Sequence, residues 1–132
     1  KNQNMGDINQ PSEAELDILN IIWQRQPVTV RAVHEILTET KKVGYTTTLK
    51  QIQRMTDKGM IERVGTGKAH QYQAIVKEEK VKENLFQKLV KTAFKGSALK
   101  LVMHALGNSE TSKDEIEALE QFIKQKKNEK ND

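Results

Sequence analysis

The sequence predicts a mainly α protein with a small β-hairpin: a winged helix-turn-helix domain followed by a three-helix dimerisation domain. Three observations carry this. Two stretches with helical apolar spacing meet at a short turn containing Gly44. Two short extended runs around Gly65-Thr66-Gly67 follow directly. From Lys77 onward the composition shifts to helices whose apolar stripes are wide for a solvated surface.

Pro11-Ser12-Glu13-Ala14-Glu15 reads as a helix start, because Ser12 can cap the first turn and Glu15, three residues on, completes a capping box. Leu16, Leu19, Ile22 and Trp23 recur at helical spacing, with Trp23 as a core anchor, and the helix should end near Arg25, ahead of Pro27. Thr29 caps a second helix that runs to about Thr40, with Val33, Ile36 and Leu37 inward and His34 on the exposed side. After the turn Lys41-Lys42-Val43-Gly44, a third helix spans Tyr45 to Gly59. At about 100° per residue, Tyr45, Thr48, Leu49, Ile52 and Met55 share one arc. Thr46, Thr47, Lys50, Arg54 and Asp57 fall opposite, with Gln51 and Gln53 on the flanks. Gly59 ends the helix from the position after its C-cap. Met60 to Val64 and His70 to Ile75 then form a hairpin, the wing, with Lys68 at its tip.

In the second half, Val81, Leu85, Leu89 and Phe94 mark a helix that Gly96-Ser97 breaks. Leu99 to Leu106 is apolar almost all round, apart from Lys100 and His104, and should be the most buried of the three helices. Ser112 and Glu115 form a second capping box ahead of Ile116, Leu119, Phe122 and Ile123. Stripes of this size, set against a second copy, remove several hundred Å² of apolar surface per chain, worth on the order of 25 cal/mol per Å² before entropy costs. The expected dimer interface comprises Leu85, Leu89, Phe94, Leu101, Val102, Leu106, Leu119 and Phe122. The expected organisation is thus a disordered stretch 1–10, a winged-helix domain 11–76, a helical dimerisation domain 77–127 and a frayed tail 128–132.

Lys and Arg number 22 against 18 acidic residues, a net charge of +4 that allows a polyanionic partner without demanding one. The chain has no cysteine, which excludes disulfides and thiolate chemistry and is compatible with a cytoplasmic location. No apolar run approaches a membrane span of roughly 18 residues, and the polar stretch to Gln10 lacks the apolar core of a signal peptide. His34, His70 and His104 are scattered, and no triad, metal-ligand or phosphate-loop spacing occurs, so no catalytic site, metal or cofactor is expected and an enzyme is not the reading.

Hydroxyl, amide and guanidinium groups on successive helical turns suit base edges and phosphates in a major groove. Thr46, Thr47, Lys50 and Gln51 are the expected base contacts; Thr29, Arg54 and Lys68 are the expected phosphate contacts. Within 43–76, Lys50, Arg54, Lys58, Arg63 and Lys68 stand against Asp57 and Glu62, a local excess of +3. The expected partners are double-stranded DNA and a second copy of the chain. A winged helix used purely as a protein-interaction module is the main alternative, and a small-molecule-responsive regulator is another.

Several blocks in order, Ser12 to Leu19 with Ile22-Trp23, Thr47 to Met55 with Lys58-Gly59, Gly67 to Tyr72, and Ser112 with Asp114 to Glu117 and Leu119, resemble the penicillinase repressor family, the BlaI/MecI/CopY group. The resemblance covers about residues 11–125. It implies a homodimeric repressor on palindromic operators, derepressed when a sensor protease cleaves the C-terminal domain. The copper-responsive branch carries a C-terminal cysteine cluster that this chain lacks. The β-lactam branch is cut at an Asn-Phe bond, and the matching position here reads His104-Ala105. Gln51 stands where the family usually has an apolar residue, and Lys68 where it has Arg.

Overall fold

The computed structural model describes residues 10–108 and 110–131. The expectation of disorder for 1–10 therefore falls, apart from Gln10, outside the described residues. The chain divides into two units, one ending at Lys88 and one beginning at Leu89. The order of elements is α1 (Glu13–Arg25), β1 (Val28–Thr29), α2 (Val30–Leu37), α3 (Tyr45–Asp57), β2 (Ile61–Val64), β3 (Gln71–Ala74), α4 (Glu78–Ala93), α5 (Ala98–Asn108) and α6 (Lys113–Asn131). The division falls within α4.

In the first unit, α1 starts as its sequence dictates. The Ser12 hydroxyl accepts from the Glu15 amide at 3.2 Å, and the Ser12 amide donates to Glu15 Oε1 at 2.8 Å. The other carboxylate oxygen, Oε2, accepts from Lys58 Nζ at 2.6 Å. One buried glutamate thus caps α1 and holds the C-cap of α3. Ile18, Leu19 and Ile22 form the buried stripe of α1, and Trp23 packs beside them with its indole N–H donating to the Val76 carbonyl at 3.0 Å. The helix ends at Arg25, before the cis Gln26–Pro27 peptide.

The second helix is shorter than its sequence suggests, ending at Leu37. Beyond it, tighter bonds from Glu39 N to Ile36 O and Thr40 N to Leu37 O interrupt the α-helical pattern before a last bond from Lys41 N to Leu37 O. The Thr38 hydroxyl donates to the Glu35 carbonyl at 2.9 Å, the local competition that Thr offers a helix.

The wing is more than a hairpin. Val28–Thr29 adds a third strand, in the order β1-β3-β2, all antiparallel, with Val28 opposite Tyr72 and Thr29 opposite Gln71. Two residues next to a proline leave no periodicity to read. The core joins Ile18, Leu19 and Ile22 of α1 to Val33, Leu37, Ile52, Met55, Met60, Ile61 and Tyr72.

Gly59 closes α3 in a left-handed conformation, φ 81°. Its amide donates to Thr56 O at 3.1 Å, and that of Met60 to Met55 O at 3.0 Å. These paired bonds are a Schellman motif. Met55 and Met60 are both buried in the core, so the chain reverses directly into β2.

In the second unit, the Glu115 amide donates to the Ser112 hydroxyl at 3.1 Å and the Ser112 amide to Glu115 Oε1 at 3.0 Å, the second capping box. The helix it starts runs on to Asn131, into the stretch 128–132 expected as a frayed tail; Lys and Glu are strong helix formers and favour it. The other difference is larger. α5, expected to be the most buried helix, contains no buried residue in the single chain, and Met103 is 63% exposed. Its apolar character finds no cover within the unit.

Two stability tests follow from these contacts. Burial alone would raise the Glu15 pKa, but the Lys58 ammonium and the Ser12 amide outweigh it and hold the carboxyl below its ordinary 4.5. Its contribution is therefore complete above that value and lost as the pH falls through the lower folded value. Glu15→Gln should cost about 1–3 kcal/mol at pH 7 in denaturant unfolding, with the difference from wild type shrinking under acid. A Cβ on Gly59 would meet nothing within 4 Å, so Gly59→Ala should lose about 1–2 kcal/mol through backbone conformation alone, while Gly44→Ala, at φ −81°, should change stability far less.

Candidate nucleic-acid interface

The candidate interface is built on α3. Three consecutive threonines at its start are β-branched and poor at nucleating a helix. Tertiary contacts compensate. Thr48 is buried together with Ile52 and Met55. Its Oγ1 is hydrogen-bonded to His34 Nδ1 at 2.9 Å. His34 also meets the Tyr45 ring edge-on, with centroids 5.4 Å apart. His34 is therefore half-buried between α2 and α3 and not the exposed bystander that helical spacing suggests. The expected inner arc is likewise rotated slightly: Tyr45 is exposed and Leu49 only half-buried.

With that stripe docked, Thr46, Thr47, Lys50, Gln53, Arg54 and Asp57 lie exposed. Three of the four expected base-contact residues, Thr46, Thr47 and Lys50, share this surface. Gln51 is half-buried on the flank, where its Oε1 accepts from Arg54 Nη2 at 3.0 Å. There it borders a cavity of about 250 Å³ whose other walls include Ile18, Leu37, Val43 and Thr47. At the mouth of that cavity the Asp17 carboxylate pairs with Lys41, raising the lysine's pKa.

The expected phosphate contacts are spread over three elements. Arg54 is exposed on α3, and Lys68 is exposed in the turn between β2 and β3. Thr29 is half-buried; its hydroxyl caps α2 by accepting from the Ala32 amide at 3.1 Å.

A second concavity, of about 560 Å³, lies between the start of α2, one flank of α3 and the wing. Thr29, Arg31, Tyr45, Gln53, Arg63 and His70 are among the residues that line it, and all but Thr29 lie outside the expected contact set. Arg63 had a legible signal. It stands two residues from buried Ile61 and pairs with Tyr72, so it lies on the inner face of the ribbon where a core residue would be expected. Arg31 and Tyr45 had none, because their proximity arises from the crossing of α2 and α3.

Among the described residues, no group of three or more His, Asp or Glu side chains could hold a metal ion, and no helix is long and apolar enough to cross a membrane.

The helix-turn-helix, the three-stranded wing and the polar outer face of α3 define a winged helix-turn-helix protein. The chain belongs to the penicillinase repressor family, whose model matches residues 11–125. The methicillin resistance regulatory protein MecI of Staphylococcus aureus strain N315 is 29% identical over 115 residues, which span 87% of this chain and 94% of MecI. The transcriptional regulator BlaI of Mycobacterium tuberculosis strain H37Rv is 26% identical over 121 residues, 90% of this chain and 86% of that protein. The solution structure of the DNA-binding domain of the repressor BlaI superposes with a TM-score of 0.49 at 25% identity, covering 54% of this chain and 87% of that one. The family is one of transcriptional repressors and not of enzymes.

Proposed function

We propose that the chain is a cytoplasmic, sequence-specific DNA-binding repressor that acts as a homodimer on a palindromic operator. The observation that carries the reading is the exposed face of α3, where Thr46, Thr47, Lys50 and Arg54 project beside a wing bearing Lys68. Lys50 has the chemistry to donate to guanine O6 and N7, and the threonine hydroxyls can serve either base type. Lys68 and Arg54 offer cations to the backbone, while Thr29 holds the start of α2 in place for phosphate contact. Gln51 acts in this reading through Arg54, whose guanidinium it holds, and it can add an amide near a base edge.

The dimer is supported by the second unit, where among the described residues only Val90 is buried. Of the expected interface, Leu89, Val102, Leu106 and Phe122 are exposed, and Leu85, Phe94, Leu101 and Leu119 are half-buried. Leu99, Met103 and Ile123 extend the apolar surface. A helical unit with so little interior of its own gains most by covering this surface with a second copy. Cleavage between His104 and Ala105, both exposed on α5, would sever α6 from α4 and divide that surface. A sensor protease of a β-lactam-resistance type of system would then release the operator by abolishing the dimer.

Two measurements test this. On specific and random duplexes, Lys50→Ala should relax sequence preference, whereas Lys68→Ala should weaken all sequences alike and lower the salt slope by about one unit per bound subunit. Equal losses for both variants on both duplexes would remove the assignment of α3, and a wild type that binds no duplex even at low salt would favour the protein-interaction alternative. Sedimentation should give a dimer for wild type and a monomer for the Val102→Asp, Phe122→Asp double variant. That variant should bind a two-half-site operator on the order of 100-fold more weakly and leave half-site affinity unchanged. A monomeric wild type would sink the dimer.

A further inference from the structure

The groove beneath the wing carries cations that neither the fold nor the core requires. Arg31 opens it from the first turn of α2, and its guanidinium lies over the Tyr45 ring, 5.6 Å from the centroid. The ring is itself steadied by the edge of His34. Arg63 and His70 line the groove from the ribbon. No carboxylate lines it, and among the described residues neither arginine is ion-paired. Asp57 shares with Arg63 the adjoining depression of about 300 Å³ formed also by Gln53, Thr56 and Tyr72. The groove itself is therefore lined by cations without an acid, and the acid of the adjoining depression lies outside it.

We infer that this groove is a seat for the sugar–phosphate backbone of one DNA strand, with Arg31 gripping phosphate from the helix side and Arg63 from the ribbon side. The inference rests on the DNA-binding reading above and names contacts beyond the α3 face and the wing tip. A planar guanidinium presents its donors to phosphate oxygens as a fork, and a cation–π contact with an aromatic ring restricts where the fork lies before the anion arrives. Tyr45 is then a positioning residue for Arg31. Half-exposed and already committed to Arg31 and His34, it serves the backbone and not the bases. Asp57 disfavours phosphate in the adjoining depression, so the strand is seated in the groove between Arg31 and Arg63.

The test uses the full chain with half-site and random duplexes, titrated across a range of salt. Arg31→Ala and Arg63→Ala should each lower the salt slope by about 0.9, and the double variant by about 1.8, with specific and random affinity reduced by the same factor. Arg31→Lys should keep the wild-type slope while binding more weakly, because the charge remains and the planar fork is lost. Tyr45→Ala should weaken binding at unchanged slope. Thermal midpoints of the arginine variants should match wild type, since both side chains are exposed. A double variant with the wild-type slope would overturn the inference, as would loss of slope in Arg31→Lys. Either result would leave the DNA reading standing on wild-type binding and the Lys50→Ala response. Wild type that bound no duplex would defeat that reading itself.

Discussion

Thr48, Ile52 and Met55 form one stripe along α3, and all three are sealed from solvent. Their burial fixes the rotation of the helix about its own axis. That rotation decides which side chains can reach a groove and which are spent on the interior. Because Thr48 is held by His34 at the first turn and Met55 leads into the Schellman reversal at Gly59, the helix is fixed at both ends. The polar residues of its outer face are presented by default once the inner stripe is docked.

The charges divide the same way. Lys58 is drawn to the buried carboxylate of Glu15, so it contributes to the attachment of α1 and less to the outer face. Lys41 is likewise paired with Asp17. Lys50, Arg54, Lys68, Arg31 and Arg63, in none of the ion pairs among the described residues, surround α3 and the wing. A net charge of only +4 therefore understates the local field, because these five cations face only Asp57 and Glu62 within 43–76 while Glu15 and Asp17 are paired.

The two units solve the burial problem differently. The first seals a core of aliphatic and methionine side chains beneath three helices and a small sheet. In the second, large apolar groups such as Leu99, at 67% exposed, remain outside. The expectation that α5 would be the most buried helix failed for a physical reason: composition reports that a segment needs cover, and nothing in composition says whether the cover comes from the same chain. α5 is left open in the single chain, and the homodimer proposed above would cover it.

Much of the architecture was legible because it is local. Both capping boxes, the end of α1 near Arg25, the Gly59 stop and the wing follow from residues a few positions apart, where chain geometry alone forces the outcome. The outer face of α3 was legible in the same way, since helical periodicity places Thr46, Thr47 and Lys50 together. Where side chains are brought together by the crossing of elements, the sequence had no voice. The β1 strand, the His34–Thr48 bond, the turn of Gln51 toward the α1 flank and the meeting of Arg31 with Tyr45 depend on the angle between helices and on the path of the ribbon. The sequence by itself determined which elements form, where they stop and which helix carries the polar face, because those are matters of local energy. Only the tertiary structure decided how far that helix is rotated and which cations remain unpaired beside it, because those depend on contacts between residues far apart in the chain.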